Sequence, residues 1–482
     1  MAMSLYYPAM AEIFLAGMAI LSVLIAAFGG EGRKAASLMR KLTIASFAVA
    51  GLLTVSYGQM PDIAFGDLFV TSPFMVFMKL LVLAGAGIIL LLAQNQVNSD
   101  RMDRPEFPLL VMLSVLGMMV LISANDLMVL YMGIELQSLP LYVIAAMQRD
   151  SIRSSEAGLK YFLLGALSSG LLLYGASLIY GFTESTNYAE IAAVLSAGAS
   201  EGAVIGIVFL IAGMAFKISA APFHMWTPDV YEGSPTIVTA FFAVAPKLAA
   251  MALFLRVSYG MLGTTTDSWQ QVVVAIALAS MTVGALGAIM QTDIKRLMAY
   301  SSIAHMGYAL VGLSSATPQG ISAVMVYMAI YVVSSLGIFG IILTLSQDGK
   351  PVTKISDLAG YSRTHPIMAA SMLILLFSMA GIPPFSGFFG KWFVFSAAVN
   401  AGYVPLAVFG VLTSVIGAFY YIRIIKVMYV DELGDALDQS KRNTHSLVIL
   451  TMAAITALLV FALPALREFI EATIPHITLA AV

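Results

Sequence analysis

Apolar runs about as long as a bilayer is thick recur from one end of the chain to the other, and most charged residues fall between them. A hydrocarbon core roughly 30 Å thick is crossed by about 20 helical residues. Runs fall near 8–28, 40–58, 72–93, 106–123, 126–147, 159–181 and 203–222. They continue near 235–258, 269–290, 296–314, 319–345, 365–400, 404–428 and 444–463. The expected fold is an all-α polytopic membrane protein of about fourteen transmembrane helices. The run 365–400 would extend about 54 Å as one helix. It contains Gly381-Ile382-Pro383-Pro384, so it has to break.

Composition narrows the chemistry. Apolar residues make up 60% of the 482 and charged residues 10%, against roughly 25% charged in a soluble domain. A net charge of −2 gives no basic surface for nucleic acid. Cysteine is absent, which removes disulfides, thiolate-held iron–sulfur clusters and cysteine nucleophiles. His224, His305, His365, His445 and His476 are scattered without metal-ligand spacing, and no phosphate-binding glycine motif follows a strand-like run. No metal and no cofactor is expected in this chain. The first run, Pro8 to Phe28, is followed and not preceded by its bases, Arg33, Lys34, Arg40 and Lys41. It also exceeds a signal peptide's apolar stretch of about 7–15 residues, so it reads as a retained span.

Bases gather in every second connection: Arg33, Lys34, Arg40 and Lys41; Arg101 and Arg104; Arg149 and Arg153; Lys295 and Arg296; Lys350, Lys354 and Arg363; Lys426, Lys441 and Arg442. The alternate loops carry Asp62, Asp67, Glu184, Glu190 and Glu201. The positive-inside rule makes the basic loops cytoplasmic and turns both termini to the other side. The expected location is a bacterial inner membrane.

Two stretches echo each other. Ala215-Phe216-Lys217 leads into Ala221-Pro222-Phe223, and Ile382-Pro383-Pro384-Phe385 leads into Gly390-Lys391-Trp392. They fall in spans seven and twelve, five helices apart. An odd number of helices re-enters the membrane upside down, so spans four to eight and nine to thirteen are expected to be inverted repeats with broken helices seven and twelve. The expected segments are an N-terminal three-helix part, 1–105, a first repeat, 106–260, a second repeat, 261–430, and a C-terminal helix and tail, 431–482.

A charge near the bilayer centre costs at least about 2.5–3.5 kcal/mol by insertion scales. Glu135, Lys217, Lys247, His305 and Lys391 nevertheless fall inside spans, and Lys160 lies just within the sixth. Each has a bland alternative, a structural ion pair or a lysine snorkelling to the surface. That alternative suits Lys79, and Glu12 reads as a helix end or subunit contact. Lys217, Lys247 and Lys391 are too deep to snorkel, and each neighbours a proline: Pro222, Pro246 or Pro383-Pro384. Proline removes a helix hydrogen bond, and three breaks beside three lysines suggest a hydrated polar axis. Lysine suits proton transfer there because burial and an approaching carboxylate act on it in opposite directions. A swing of two to three pKa units is worth roughly 3–4 kcal/mol, enough to move a charge against 100 mV at about 2.3 kcal/mol.

Three longer blocks carry a resemblance. They are Lys217 to Thr236, containing Pro222, His224, Asp229 and Glu232; Asp293 to Tyr308, containing Lys295, Arg296 and His305; and Gly381 to Lys391. Over roughly 105–430 the chain resembles the antiporter-like subunits of respiratory NADH–quinone oxidoreductase. The His224-Met-Trp-Thr-Pro-Asp-Val-Tyr231 wording and lysine at 391 favour a shorter member, without the largest paralogue's lateral helix. The resemblance implies that Glu135 and Lys217 form a coupling pair and that Lys247 and His305 connect to Lys391. It also implies cytoplasmic proton access past His224, Asp229 and Glu232. Other membrane subunits of the complex are the implied partners; NADH oxidation and quinone reduction belong to other subunits, and no quinone site is assigned. A subunit of a multicomponent cation/proton antiporter shares these motifs, but sodium transport calls for an oxygen-rich acidic site, and this axis is dominated by lysines. A membrane scaffold whose charges only hold helices together is the third reading.

Overall fold

The computed structural model describes residues 4–28, 32–59, 61–93, 104–434, 437–438 and 443–477; Arg101, Lys441 and Arg442 lie outside them. The order opens with α1 (Met10–Phe28), α2 (Arg33–Tyr57), a hairpin of β1 (Asp62–Ala64) and β2 (Phe69–Thr71), and α3 (Pro73–Leu92). Next come α4 (Glu106–Ser123), α5 (Leu127–Ala145), α6 (Ile152–Thr183), the short α7 (Tyr188–Ser196), α8 (Glu201–Lys217), α9 (Trp226–Gly233) and α10 (Thr236–Arg256). Then follow α11 (Thr266–Ile289), α12 (Ile294–Ser314), α13 (Pro318–Ile342), β3 (Ser346–Gln347), β4 (Lys350–Pro351) and α14 (Tyr361–Thr364). The last are α15 (Pro366–Ala380), α16 (Ser386–Asn400), α17 (Val404–Tyr429) and α18 (Asn443–Thr473).

All the expected runs are helical, with α8/α9 and α15/α16 as the two broken spans. Eleven helices among the described residues are individually long and apolar enough to cross a membrane. The exceptions are α8, α12 and the α15/α16 pair, and these carry Lys217, His305 and Lys391. Broken or diluted spans survive here because neighbouring helices supply what lipid cannot.

Packing repeats after five spans. The helix α4 lies on α5 and α10 as α11 lies on α12 and α17, and α6 packs on α8 as α13 packs on α15 and α16. The entrances of α5 and α12 match in detail. Asp126 caps α5 and accepts Thr186 Oγ1 at 2.5 Å; Asp293 caps α12 and accepts Thr353 Oγ1 at 2.5 Å. Leu127 N donates to Thr186 O at 2.9 Å, and Ile294 N to Thr353 O at 2.7 Å. A side-chain cap and the same backbone bridge, Asp126 to Asn187 and Asp293 to Lys354, make a repeat in geometry where the sequence echo is thin.

One expectation fails. Pro246 lies inside a continuous α10 and opens no break. The helix is buried along its whole length, so packing keeps it unbroken through the single missing bond. Among the described residues the expected breaks number two, not three.

Candidate functional site

Helix α8 stops at Lys217, so this lysine faces the break from the end of a half-helix and not from mid-span. Its buried ammonium donates to Ser138 Oγ at 2.9 Å and lies 5.6 Å over the Phe216 ring. Ser138 sits three residues after Glu135 on α5, nearly one turn on and on the same side. Glu135 is half-buried, its Oε1 enclosed without a hydrogen-bond partner. No ion pair joins Glu135 to Lys217 among the described residues. The expected pair is adjacent, with a serine hydroxyl on the lysine.

Lys247 is enclosed by α10's neighbours, donates to Ser302 Oγ on α12 and lies 5.5 Å over the Tyr231 ring. Rings connect the two lysines: Phe216 to Trp226 at 5.6 Å and Trp226 to Tyr231 at 6.4 Å. One turn beyond Ser302, His305 is clamped from both sides. Nδ1 is 2.5 Å from the Tyr327 hydroxyl and Nε2 is 3.0 Å from the Tyr421 hydroxyl, which also meets Ser301 Oγ at 2.5 Å.

Lys391 closes the row. Its Nζ donates to Ala380 O at 3.0 Å and Ser414 Oγ at 2.8 Å. Ala380 ends α15, so this carbonyl has lost its helical donor, and the lysine takes that place. The ammonium lies 4.9 Å over Tyr308, whose ring is edge-on to His305 with centroids 5.8 Å apart. Gly381 permits the approach. Its φ is +82°, and a Cβ there would lie 2.9 Å from Lys391 Cδ.

Lys160 sits apart from this buried row. It is 42% exposed and pairs with Glu156 at 2.7 Å and Asp229 at 2.8 Å; Asp229 in turn meets Arg296 at 2.7 Å, and Arg296 meets Glu232 at 2.9 Å. The cluster joins α6, α9 and α12 at the end of the break. His224 lies half-buried in the loop after Lys217, with Nδ1 enclosed and without a hydrogen-bond partner. Of the two structural roles open to Lys79, it takes the buried ion pair and does not snorkel. Its partner at 2.6 Å is Glu12, in the first turn of α1, so that carboxylate is engaged within the chain.

Sequence reasoning missed Ser138, Ser302, Tyr327, Tyr421 and Ser414, and gave Tyr231 and Tyr308 no role of their own. A weak signal existed: Tyr327 and Tyr331 are four residues apart on α13, and both are near His305, with ring centroids 5.9 and 5.5 Å from its own. Among the described residues no cluster of three or more His, Cys, Asp or Glu is placed to hold a metal.

Residues 124–417 match the family described as NADH:quinone oxidoreductase/Mrp antiporter, TM. The chain is 51% identical over 479 residues to NADH-quinone oxidoreductase subunit N of Rhodospirillum rubrum, covering 98% of each. It is 51% identical over 461 residues to subunit N of Parvibaculum lavamentivorans, covering 95% of each. A chain of respiratory complex I from Thermus thermophilus with bound aureothin superposes with a TM-score of 0.80 at 31% identity, over 95% of this chain and 99% of that one. A chain of the Mrp complex from Dietzia sp. DQ12-45-1b shares the fold, with a TM-score of 0.83 at 21% identity over 97% of each. Half its residues coincide with subunit N over nearly its full length, and the chain belongs to the subunit N branch of the NADH–quinone oxidoreductase antiporter-like family.

Proposed function

We propose that this chain is a proton-translocating membrane-arm subunit of NADH–quinone oxidoreductase, working with the complex's other membrane subunits. Protons move along Glu135, Lys217, Lys247, His305 and Lys391, driven by redox chemistry elsewhere in the complex. The observation that carries this reading is the buried hydrogen-bonded row Lys247–Ser302 and Ser301–Tyr421–His305–Tyr327. Hydroxyls there can donate and accept, imidazole can do either at its two nitrogens, and an ammonium can give a proton and take it back. Glu135 supplies the switch: its approach favours a charged Lys217, and its withdrawal favours release.

Access lies on the cytoplasmic side past Lys160, His224, Asp229 and Glu232, in a bacterial inner membrane with both termini periplasmic. The working units are 1–105, 106–260, 261–430 and 431–482. The chain itself holds no flavin, iron–sulfur cluster or metal. The cation/proton antiporter reading has behind it the shared family description and a fold in common with the Mrp chain, against half-identity to subunit N. Copurification of flavin and iron–sulfur subunits separates the two.

The test is proton pumping in vesicles carrying Glu135→Gln, Lys217→Ala or Lys391→Ala, with assembly confirmed. Pumping falls in each; full pumping in all three overturns the axis. A scaffold would lose assembly but keep pumping in what assembles.

A further inference from the structure

Beyond the axis, a groove runs between α16 and α18. It offers about 730 Å³, within the roughly 300–1,000 Å³ usual for a ligand site, and it is open along one side. Its floor is aromatic and aliphatic, with Phe388, Trp392 and Phe393 on α16 facing Val460 and Leu463 on α18. A second hollow continues it past Trp392 and Arg467 to Asn400 and Gln319, where α16 ends and α13 begins. From Phe388 to Asn400 the two hollows together run about 18 Å along the helix. The charges of the groove, Arg467, Glu468 and Glu471, gather where the two hollows meet, and Arg467 lines both.

The arrangement of those charges selects a headgroup. Arg467 donates Nε to Glu471 at 2.7 Å and rests 5.3 Å from the Phe393 ring. Its two terminal nitrogens have no partner among the described residues, which leaves a guanidinium fork open to a phosphate. Glu468 has no partner there either. One cation flanked by two carboxylates disfavours an anionic headgroup and suits a phosphate that carries its own ammonium.

We infer that the α16–α18 groove is a binding site for a zwitterionic aminophospholipid, with an acyl chain along Trp392 and Phe388, the phosphate on Arg467 and the ammonium on Glu468 and Glu471. Trp392 directly follows Lys391, so the same half-helix presents its lysine to the axis and its indole to the lipid.

The experiment uses the assembled complex reconstituted with phosphatidylethanolamine bearing a photoreactive acyl chain. Adducts are expected on 388–393 and 460–466. Unlabelled phosphatidylethanolamine should compete roughly three- to tenfold better than phosphatidylglycerol, the size of one charge-assisted hydrogen bond at a part-exposed site. Arg467→Ala should weaken labelling by a similar factor. Glu468→Gln with Glu471→Gln should keep the labelling and erase the preference between the two lipids. Adducts absent from both helices, or indifferent to all these substitutions, overturn the proposal, as does a neighbouring subunit cross-linked into the groove instead.

Discussion

Tyr421 touches both ends of a short relay, Ser301 Oγ and His305 Nε2. Tyr421→Phe keeps the ring and removes the hydroxyl, at a stability cost of about 1 kcal/mol. Pumping by assembled enzyme should fall by roughly tenfold, the effect of about 1.4 kcal/mol on a barrier; full-rate pumping would remove Tyr421 from the path. A different pair tests the structural charges. Lys79→Met strands the Glu12 carboxylate in a buried site and should cost about 3–5 kcal/mol. Adding Glu12→Gln should restore most of the lost assembly, read as subunit yield in membranes, and a double variant as poor as the single would show that the pair is not what holds these helices. The buried lysines could be read from sequence because an ammonium inside an apolar run is costly and therefore conspicuous. Tyr327 and Tyr421 could not, because tyrosine is ordinary both in cores and at membrane interfaces. Only their neighbours reveal what their hydroxyls do.

At the scale of elements, proline behaves in two ways in one chain. Pro222 and Pro383-Pro384 lie in true gaps between half-helices, while Pro246 is carried inside α10. Pro246→Ala returns a donor to the carbonyl four residues back and leaves only a small space. Pumping should stay within about twofold of the parent, a barrier change of roughly 0.4 kcal/mol, and a large loss would mean that α10 needs its proline for the path. The span positions were legible because length and hydropathy report burial in lipid directly. The continuity of α10 was not, since proline weakens a helix locally and the helices packed around it determine whether it breaks. The repeat was half legible. Its echo around the two lysines stood in the sequence, but the matched caps at Asp126 and Asp293 depend on Thr186 and Thr353, each 60 residues away along the chain.

For the whole molecule, the proposed path from Glu135 to Lys391 has its members in series. Effects of groups that act as one unit do not add. Lys217→Ala combined with Lys391→Ala should therefore pump no worse than the weaker single variant, measured as protons moved per NADH oxidised in vesicles. A double variant that loses the product of the two single effects would point to two separate paths. The sequence by itself determined the membrane class, the positions of the spans and the burial of Lys217, Lys247, His305 and Lys391, because the cost of placing a backbone or an ion in hydrocarbon acts residue by residue. The tertiary structure alone decided which hydroxyl meets which charge, that Glu135 and Lys217 stand adjacent without pairing, and that Lys160 belongs to the surface. Those are contacts of a few ångströms between helices far apart along the chain, and no local pattern encodes them.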